Sequence, residues 1–236
     1  MWKWGYTLKP MKKPLALLVL TALILVASSV RGHQAEGGAR EKLAKDGIAF
    51  TPEAFLKAVA EGDAKHAALF LEAGIDPSVK NASGRTALWI ATERRQLEVL
   101  KILLAGGVAP NEKNAPPAEY GKSIVFEAVD SGDAAFVRAL VEAGADAKQA
   151  NDYEVPPLAE AARVGNIEMC QILLKGGADP NAAPAGFPLL YGPVNENHLE
   201  VVKLLLASGA KLGEHKQSLV EAAQNPEIRA LLEAAE

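Results

Sequence analysis

Five stretches of this chain repeat one pattern, and that recurrence restricts the fold more than any other feature. The clearest is NHLEVVKLLLASGAK, running from Asn197 to Lys211. Its Leu199, Val201, Val202, Leu204, Leu205 and Leu206 fall on one broad stripe of a helix. Ser208-Gly209 follows at once, and glycine there takes the left-handed conformation that closes a helix. NIEMCQILLKGGAD (166–179), QLEVLKILLAGGVA (96–109), DAAFVRALVEAGAD (133–146) and DAKHAALFLEAGID (63–76) carry the same pattern. The closing glycines are Gly74, Gly107, Gly144, Gly177 and Gly209, spaced 33, 37, 33 and 32 residues apart. A helix pair and a glycine stop in each unit, at a period near 33, define a repeat architecture. No single unit can bury its own apolar stripe, so neighbours supply the cover and stability runs along the stack.

Upstream of the second of these helices stands Gly84-Arg85-Thr86-Ala87-Leu88-Trp89-Ile90-Ala91, with looser copies in GKSIVFEA (121–128), EVPPLAEA (154–161) and GFPLLYGP (186–193). The first resembles the ankyrin signature G-x-T-P-L-H-x-A, and the resemblance covers residues 51 to about 213. It implies an all-α ankyrin-repeat solenoid of about five helix-turn-helix repeats, followed by a C-terminal capping helix pair at Ser218–Ala223 and Glu227–Ala234. The copies depart from the family at the histidine position, which holds Trp89, Phe126, Ala159 and Tyr191. They depart again between the paired helices, where Arg95 and Asn197 replace the glycine found at Gly62, Gly132 and Gly165. That position resembles a left-handed site of ankyrin repeats, so both residues are expected to sit there with positive φ.

Residues 1–32 read as a signal peptide. Lys9, Lys12 and Lys13 precede an apolar run from Leu15 to Val26, and Ala27-Ser28-Ser29-Val30-Arg31-Gly32 supplies the small residues of a cleavage region. Met11-Lys12-Lys13 resembles a more usual start than Met1. The apolar run is shorter than the roughly 18–20 residues of a membrane span, so cleavage between Ser28 and Gly32 is expected; the competing reading is an uncleaved anchor in the inner membrane. Residues 33–50 read as a polar linker with one short helix at Ala39–Lys45, and 51–236 as the repeat domain. Thr51-Pro52-Glu53 opens it with a threonine cap, a proline at the first helical position and an early acid. Phe55, Ala58 and Val59 should face inward. His66, in the slot of Val99, Phe136, Met169 and Val201, reads as a partly buried capping side chain. Pro110 to Lys122 is a longer connection, stiffened by Pro116 and Pro117, that accounts for the 37-residue step.

Reactive chemistry is hard to find. His33, His66, His198 and His215 have no spacing suited to a metal or a triad, and Cys170, the only cysteine, falls on the buried side of its helix. No phosphate loop or nucleophile elbow occurs, so no catalysis, cofactor or metal is expected. Residues 1–32 hold five of the 25 basic residues and none of the 29 acidic ones; the rest therefore carries 20 against 29, a net of −9. Such a body is repelled by nucleic acid and by anionic membranes, and membrane contact is expected only if the signal is retained. A protein partner with a basic face is the natural counterpart of a monomeric module.

Ankyrin resemblance implies recognition through the concave face, made of first helices and loop tips. Alignment of the repeats puts Glu127, Asp130, Glu160 and Arg163 on the outward side of the central first helices. Tyr120 and Tyr153 fall at or near two adjoining loop tips, and Trp89 and Tyr191 are candidates to extend the surface. Rigid aromatic rings ringed by acids suit a protein interface. An exported, periplasmic binding module of bacterial type, engaging a periplasmic enzyme or similar protein, is the expected function. An immunity protein against a secreted toxin and an inner-membrane-anchored structural module remain alternatives.

Overall fold

The structure, a computed structural model, describes residues 37–111 and 121–235. The signal peptide expected at 1–32, the start of the linker, Tyr120 and most of the long connection lie outside the described residues. Among the described residues thirteen α-helices follow one another: α1 (37–45), then six pairs. The pairs are α2 (Pro52–Glu61) with α3 (Ala64–Glu72), α4 (Ala87–Glu93) with α5 (Leu97–Ala105), and α6 (Ile124–Asp130) with α7 (Ala134–Glu142). They continue as α8 (Pro157–Arg163) with α9 (Ile167–Lys175), α10 (Tyr191–Asn195) with α11 (Leu199–Ala207), and α12 (Lys216–Ala222) with α13 (Pro226–Ala234). The five expected repeats and the C-terminal capping pair are all present.

Local chemistry starts and stops these helices. The hydroxyls of Thr51, Thr86 and Ser123 accept from the backbone N–H groups of Ala54, Trp89 and Phe126, satisfying donors that the first turn leaves open. Asp63, Asp133 and Asn166 cap the second helices in the same way. Gly74, Gly107, Gly144, Gly177 and Gly209 end the second helices at φ between 80° and 90°, as their spacing predicted.

First helices pack on first helices and second on second, giving two layers. Small residues line the first layer: Ala87, Ala91, Ala128, Ala161 and Ala162 are all fully buried. The second layer is built of Leu100, Leu103, Phe136, Leu140, Met169 and Leu173. Interaxial distance follows side-chain size, so alanines at these positions let first helices approach closely, on the side that the ankyrin resemblance makes the hollow one. Phe55, Ala58 and Val59 are buried as expected, and one continuous core runs from Ala39 to Leu232.

The segment read as a linker does more than connect. In α1, Ala39 and Leu43 are buried, Arg40 donates from Nε to the Ala73 carbonyl at 3.2 Å, and its guanidinium lies 4.1 Å over the Phe50 ring. Phe50 stacks on Phe70 with centroids 5.9 Å apart, and Phe55 meets Phe70 at a tilt with centroids 5.6 Å apart. Residues 37–50 therefore close the N-terminal end of the stack, as α12 and α13 close the other.

Arg95 and Asn197 are left-handed, at φ 59° and 61°. Glu154, at φ 61°, is a third such residue, standing where other repeats have Gly84, Gly121 and Gly186. Immediately after Arg95 and Asn197, the side chains of Gln96 and His198 do not cap their own helices. They reach back one repeat instead: Gln96 Nε2 donates to the Ala60 carbonyl at 3.3 Å, and His198 Nε2 meets the Arg163 carbonyl at 3.0 Å. Each lies over the glycine of the preceding turn, Gly62 or Gly165, where a Cβ would collide with it.

Candidate protein-binding face

The hollow side is assembled from two repeating parts, a turn that carries the loop tip and a short first helix behind it. Asn151 builds its tip by accepting from the N–H groups of Tyr153 and Val155, both at 3.0 Å, and Asn81 does the same for Ser83 and Arg85 at 2.9 Å. These Asx turns hold the backbone rigid. Asn111 and Asn181 tie neighbouring loops together: the Asn181 amide donates to Gly209 and accepts from Lys211, and Asn111 bridges Gly144 and Asp146 likewise. Side chains displayed here therefore stand on a fixed frame, which lowers the entropy lost on binding.

Tyr153 stands out from its tip with 58% of its surface exposed. Trp89 does not belong with it. Its indole is only 3% exposed and is part of the core, so the signature position here serves packing between repeats and not the outer surface. Burying so large a ring removes much apolar area from water, which favours the core position. Tyr191 is half-buried, with Phe187 against it at 5.3 Å between centroids. Phe187 itself is 52% exposed and was not singled out from the sequence. Its signal was its column: Arg85, Lys122 and Val155 precede it there, and each stands on the display side of a tip.

Glu127 and Asp130 stand on α6 and Glu160 and Arg163 on α8, and all but Glu127 are closely paired. Lys122 bonds Asp130 closely and stands 3.9 Å from Glu127. Burial works against the Lys122 charge, yet the hydrogen bond and the Asp130 and Glu127 charges outweigh it and raise its pKa. Burial also raises Glu127, against the pull of Lys122. Asp130 is thus the true partner of Lys122, and Glu127 is the acid left over. Glu160 and Arg163 form a two-pronged pair at 2.9 and 2.5 Å, and Arg85 pairs with Glu93. The face carries a ladder of paired charges, Arg85 with Glu93, Lys122 with Asp130 and Arg163 with Glu160. Exposed pairs of this kind contribute about 0–1 kcal/mol each to stability; their larger effect is to fix where the charges stand.

Among the described residues, no group of three or more His, Cys, Asp or Glu side chains is placed to hold a metal, and no helix is long and apolar enough to cross a membrane. Cys170 is fully buried, and burial pushes its thiol up to about 12, far from a reactive thiolate.

A family model described as ankyrin repeats matches in three overlapping copies, at residues 55–151, 104–184 and 125–216. Together these span more than half of the chain. The chain belongs to the ankyrin-repeat family. A putative ankyrin repeat protein of fowlpox virus is 30% identical over 133 residues, covering 55% of this chain and 29% of that protein. A putative ankyrin repeat-containing protein of Treponema pallidum is 30% identical over 142 residues, covering 60% of this chain and 47% of its own length. The chain spans less than half the length of the curated relatives it matches. The ankyrin repeat domain of human ASB11 superposes with a TM-score of 0.62 at 25% identity, covering 79% of this chain and 85% of that one. Ankyrin arrays are generally protein–protein interaction modules, and the repeats of this chain form an array of that kind.

Proposed function

We propose that the chain is an exported, non-catalytic binding module that holds a protein partner against its hollow face in the periplasm. The observation that carries this reading is the juxtaposition of exposed Tyr153 and Phe187 with the charge ladder on rigid, cross-tied loop tips. Aromatic rings on a fixed frame supply apolar contact area at little entropic cost. The acid excess of residues 33–236 as a whole favours a partner with a basic surface. The basic start, apolar run and small residues of 1–32 support export with cleavage between Ser28 and Gly32. A partner that is a periplasmic enzyme and one that is an incoming toxin would use the same face.

Affinity capture from the periplasm of the producing cell, followed by mass spectrometry and binding kinetics, tests this. Tyr153→Ala is expected to weaken the captured partner by about 1–3 kcal/mol with the fold intact. Glu127→Lys combined with Asp130→Lys is expected to slow association, most visibly at low salt. A partner indifferent to all three substitutions, yet lost on a change in the second-helix layer such as Arg138→Glu, refutes the assignment of the face. N-terminal sequencing of the exported chain tests cleavage; a full-length membrane-bound product refutes it.

A further inference from the structure

The hollow face is polarised along its length, and its two ends ask for different chemistry. Between α2 and α4 lies a cleft of about 320 Å³ with Leu56 and Ile90 at its floor and Lys57, Arg85, Arg94 and Glu93 around it. Those four charged residues sum to +2, in a body whose net charge is −9. Arg85 is engaged by Glu93, and Lys57 reaches Glu61 only at 3.8 Å across exposed surface. Arg94 is exposed and has no ion pair among the described residues, and the exposed Arg95 follows it. Three repeats further on, the first helices α8 and α10 carry a single cation, the Arg163 already bound to Glu160; beside them stand Phe187 on Tyr191, with Tyr153 on the preceding tip. Gly192 fills the column that Ile90, Glu127 and Glu160 occupy elsewhere, so no side chain rises there.

From this asymmetry we infer that the face reads an extended partner segment of fixed polarity: an aspartate or glutamate in the cleft between the first two repeats, an aromatic residue on the Phe187–Tyr191 pair, and a lysine or arginine between them. The inference rests on the proposed use of the hollow face and names the chemistry of what it holds. Charge complementarity assigns the acid to the cationic cleft. The middle base faces Glu127, the acid left over from the Lys122 pairing. Spacing follows from the stack. The first helices α4 and α10 are three packing steps apart, each about 8–10 Å, or about 24–30 Å in all. An extended chain advances about 3.3 Å per residue, so acid and aromatic should be about eight residues apart.

The test uses the purified protein and fluorescein-labelled decapeptides of serine and glycine, with glutamate at position 1, lysine at 5 and tryptophan at 9, synthesised in both sequence orders. Fluorescence anisotropy is expected to show one order binding at least tenfold more tightly than its versions with glutamate replaced by lysine or tryptophan by alanine. Arg94→Glu should abolish the dependence on the peptide glutamate and leave that on tryptophan. Phe187→Ala should do the reverse. Both side chains are exposed, so both variants should melt close to the parent. Equal affinity for all peptides, or no binding to any, overturns the inference. Partner binding that is lost in Glu127→Lys but unchanged in Arg94→Glu and Phe187→Ala overturns it too, while leaving the face itself in place. Partner binding unchanged by every substitution on the hollow face overturns both.

Discussion

Arg95 holds its backbone at φ 59° with a full side chain attached, in a turn where three other repeats have glycine. A Cβ at positive φ crowds the neighbouring carbonyl at a cost of about 1–2 kcal/mol. Arg95→Gly is therefore expected to raise stability by about 0.5–1 kcal/mol, since glycine also loosens the unfolded chain; urea denaturation of both proteins measures the difference. A lower midpoint would mean that the arginine side chain makes a compensating contact. The reverse substitution at the equivalent turn should be costly. Gly165 has φ 76°, and a Cβ there would lie 2.5 Å from the His198 ring. Gly165→Ala must both strain the turn and drive His198 off the Arg163 carbonyl, so a loss of about 2–3 kcal/mol is expected by the same denaturation assay. A loss under 1 kcal/mol would show that the histidine moves aside without consequence.

At the scale of elements, the docking of α1 is tied to an ionisable cluster. His66, on α3, bonds Asp63 through Nδ1 at 2.5 Å and Asp46 through Nε2 at 3.0 Å, and Lys65 reaches Asp46 at 2.7 Å. Asp46 follows α1 directly, so one carboxylate joins the N-terminal cap to the first repeat. The hydrogen bonds to Asp63 and Asp46 raise the His66 pKa above its ordinary 6.5. The folded protein thus holds that proton more tightly than the unfolded chain does. Its contribution is complete below about pH 6.5 and is lost as pH rises through the higher folded-state value. Asp46 is held down by its bonds to Lys65 and His66, and Asp63 by its bond to His66; their contributions are lost only as pH falls through values below 3.8. Protein carrying His66→Gln is expected to melt below the parent at pH 5.5, with the gap closing by pH 8.5. Melting curves across that range decide it, and a gap that widens with pH contradicts the assignment. Because the partner carboxylates of the half-buried His66 are themselves open to solvent, the effect should be modest and should shrink in high salt.

Across the whole molecule, stability is distributed along a line of nearest-neighbour contacts, so the position of a cavity should determine how far its effect spreads. Leu140, in α7, and Leu232, in α13, are both fully buried, and each truncation to alanine removes similar apolar volume. Leu140→Ala is expected to cost about 2–5 kcal/mol and to lower amide protection in the repeats on both sides. The same change at Leu232 should release α12 and α13 first, leaving α4 to α9 protected. Hydrogen exchange resolved by segment tells these outcomes apart. Uniform loss of protection in both variants would mean that the array unfolds as a single unit.

Much of this architecture was legible in the chain because its causes lie within one repeat. The 33-residue period, the caps at Thr51, Thr86 and Ser123, the glycine stops and the buried sides of Phe55, Val59 and Cys170 follow from residues a few positions apart. So does the left-handed backbone at Arg95 and Asn197, which depends on the turn and not on what covers it. Tertiary structure decided the rest, through contacts that the repeat pattern does not specify, several of them between residues a repeat or more apart. It buried Trp89 in the core of the stack. It spent Asp130 on Lys122, eight residues earlier, and laid Gln96 and His198 over the glycines of the preceding turns. It also packed α1 against the first repeat, and placed Phe187 on Tyr191. Backbone conformation is set by neighbours along the chain; which side chains are left for a partner is set by neighbours across the stack.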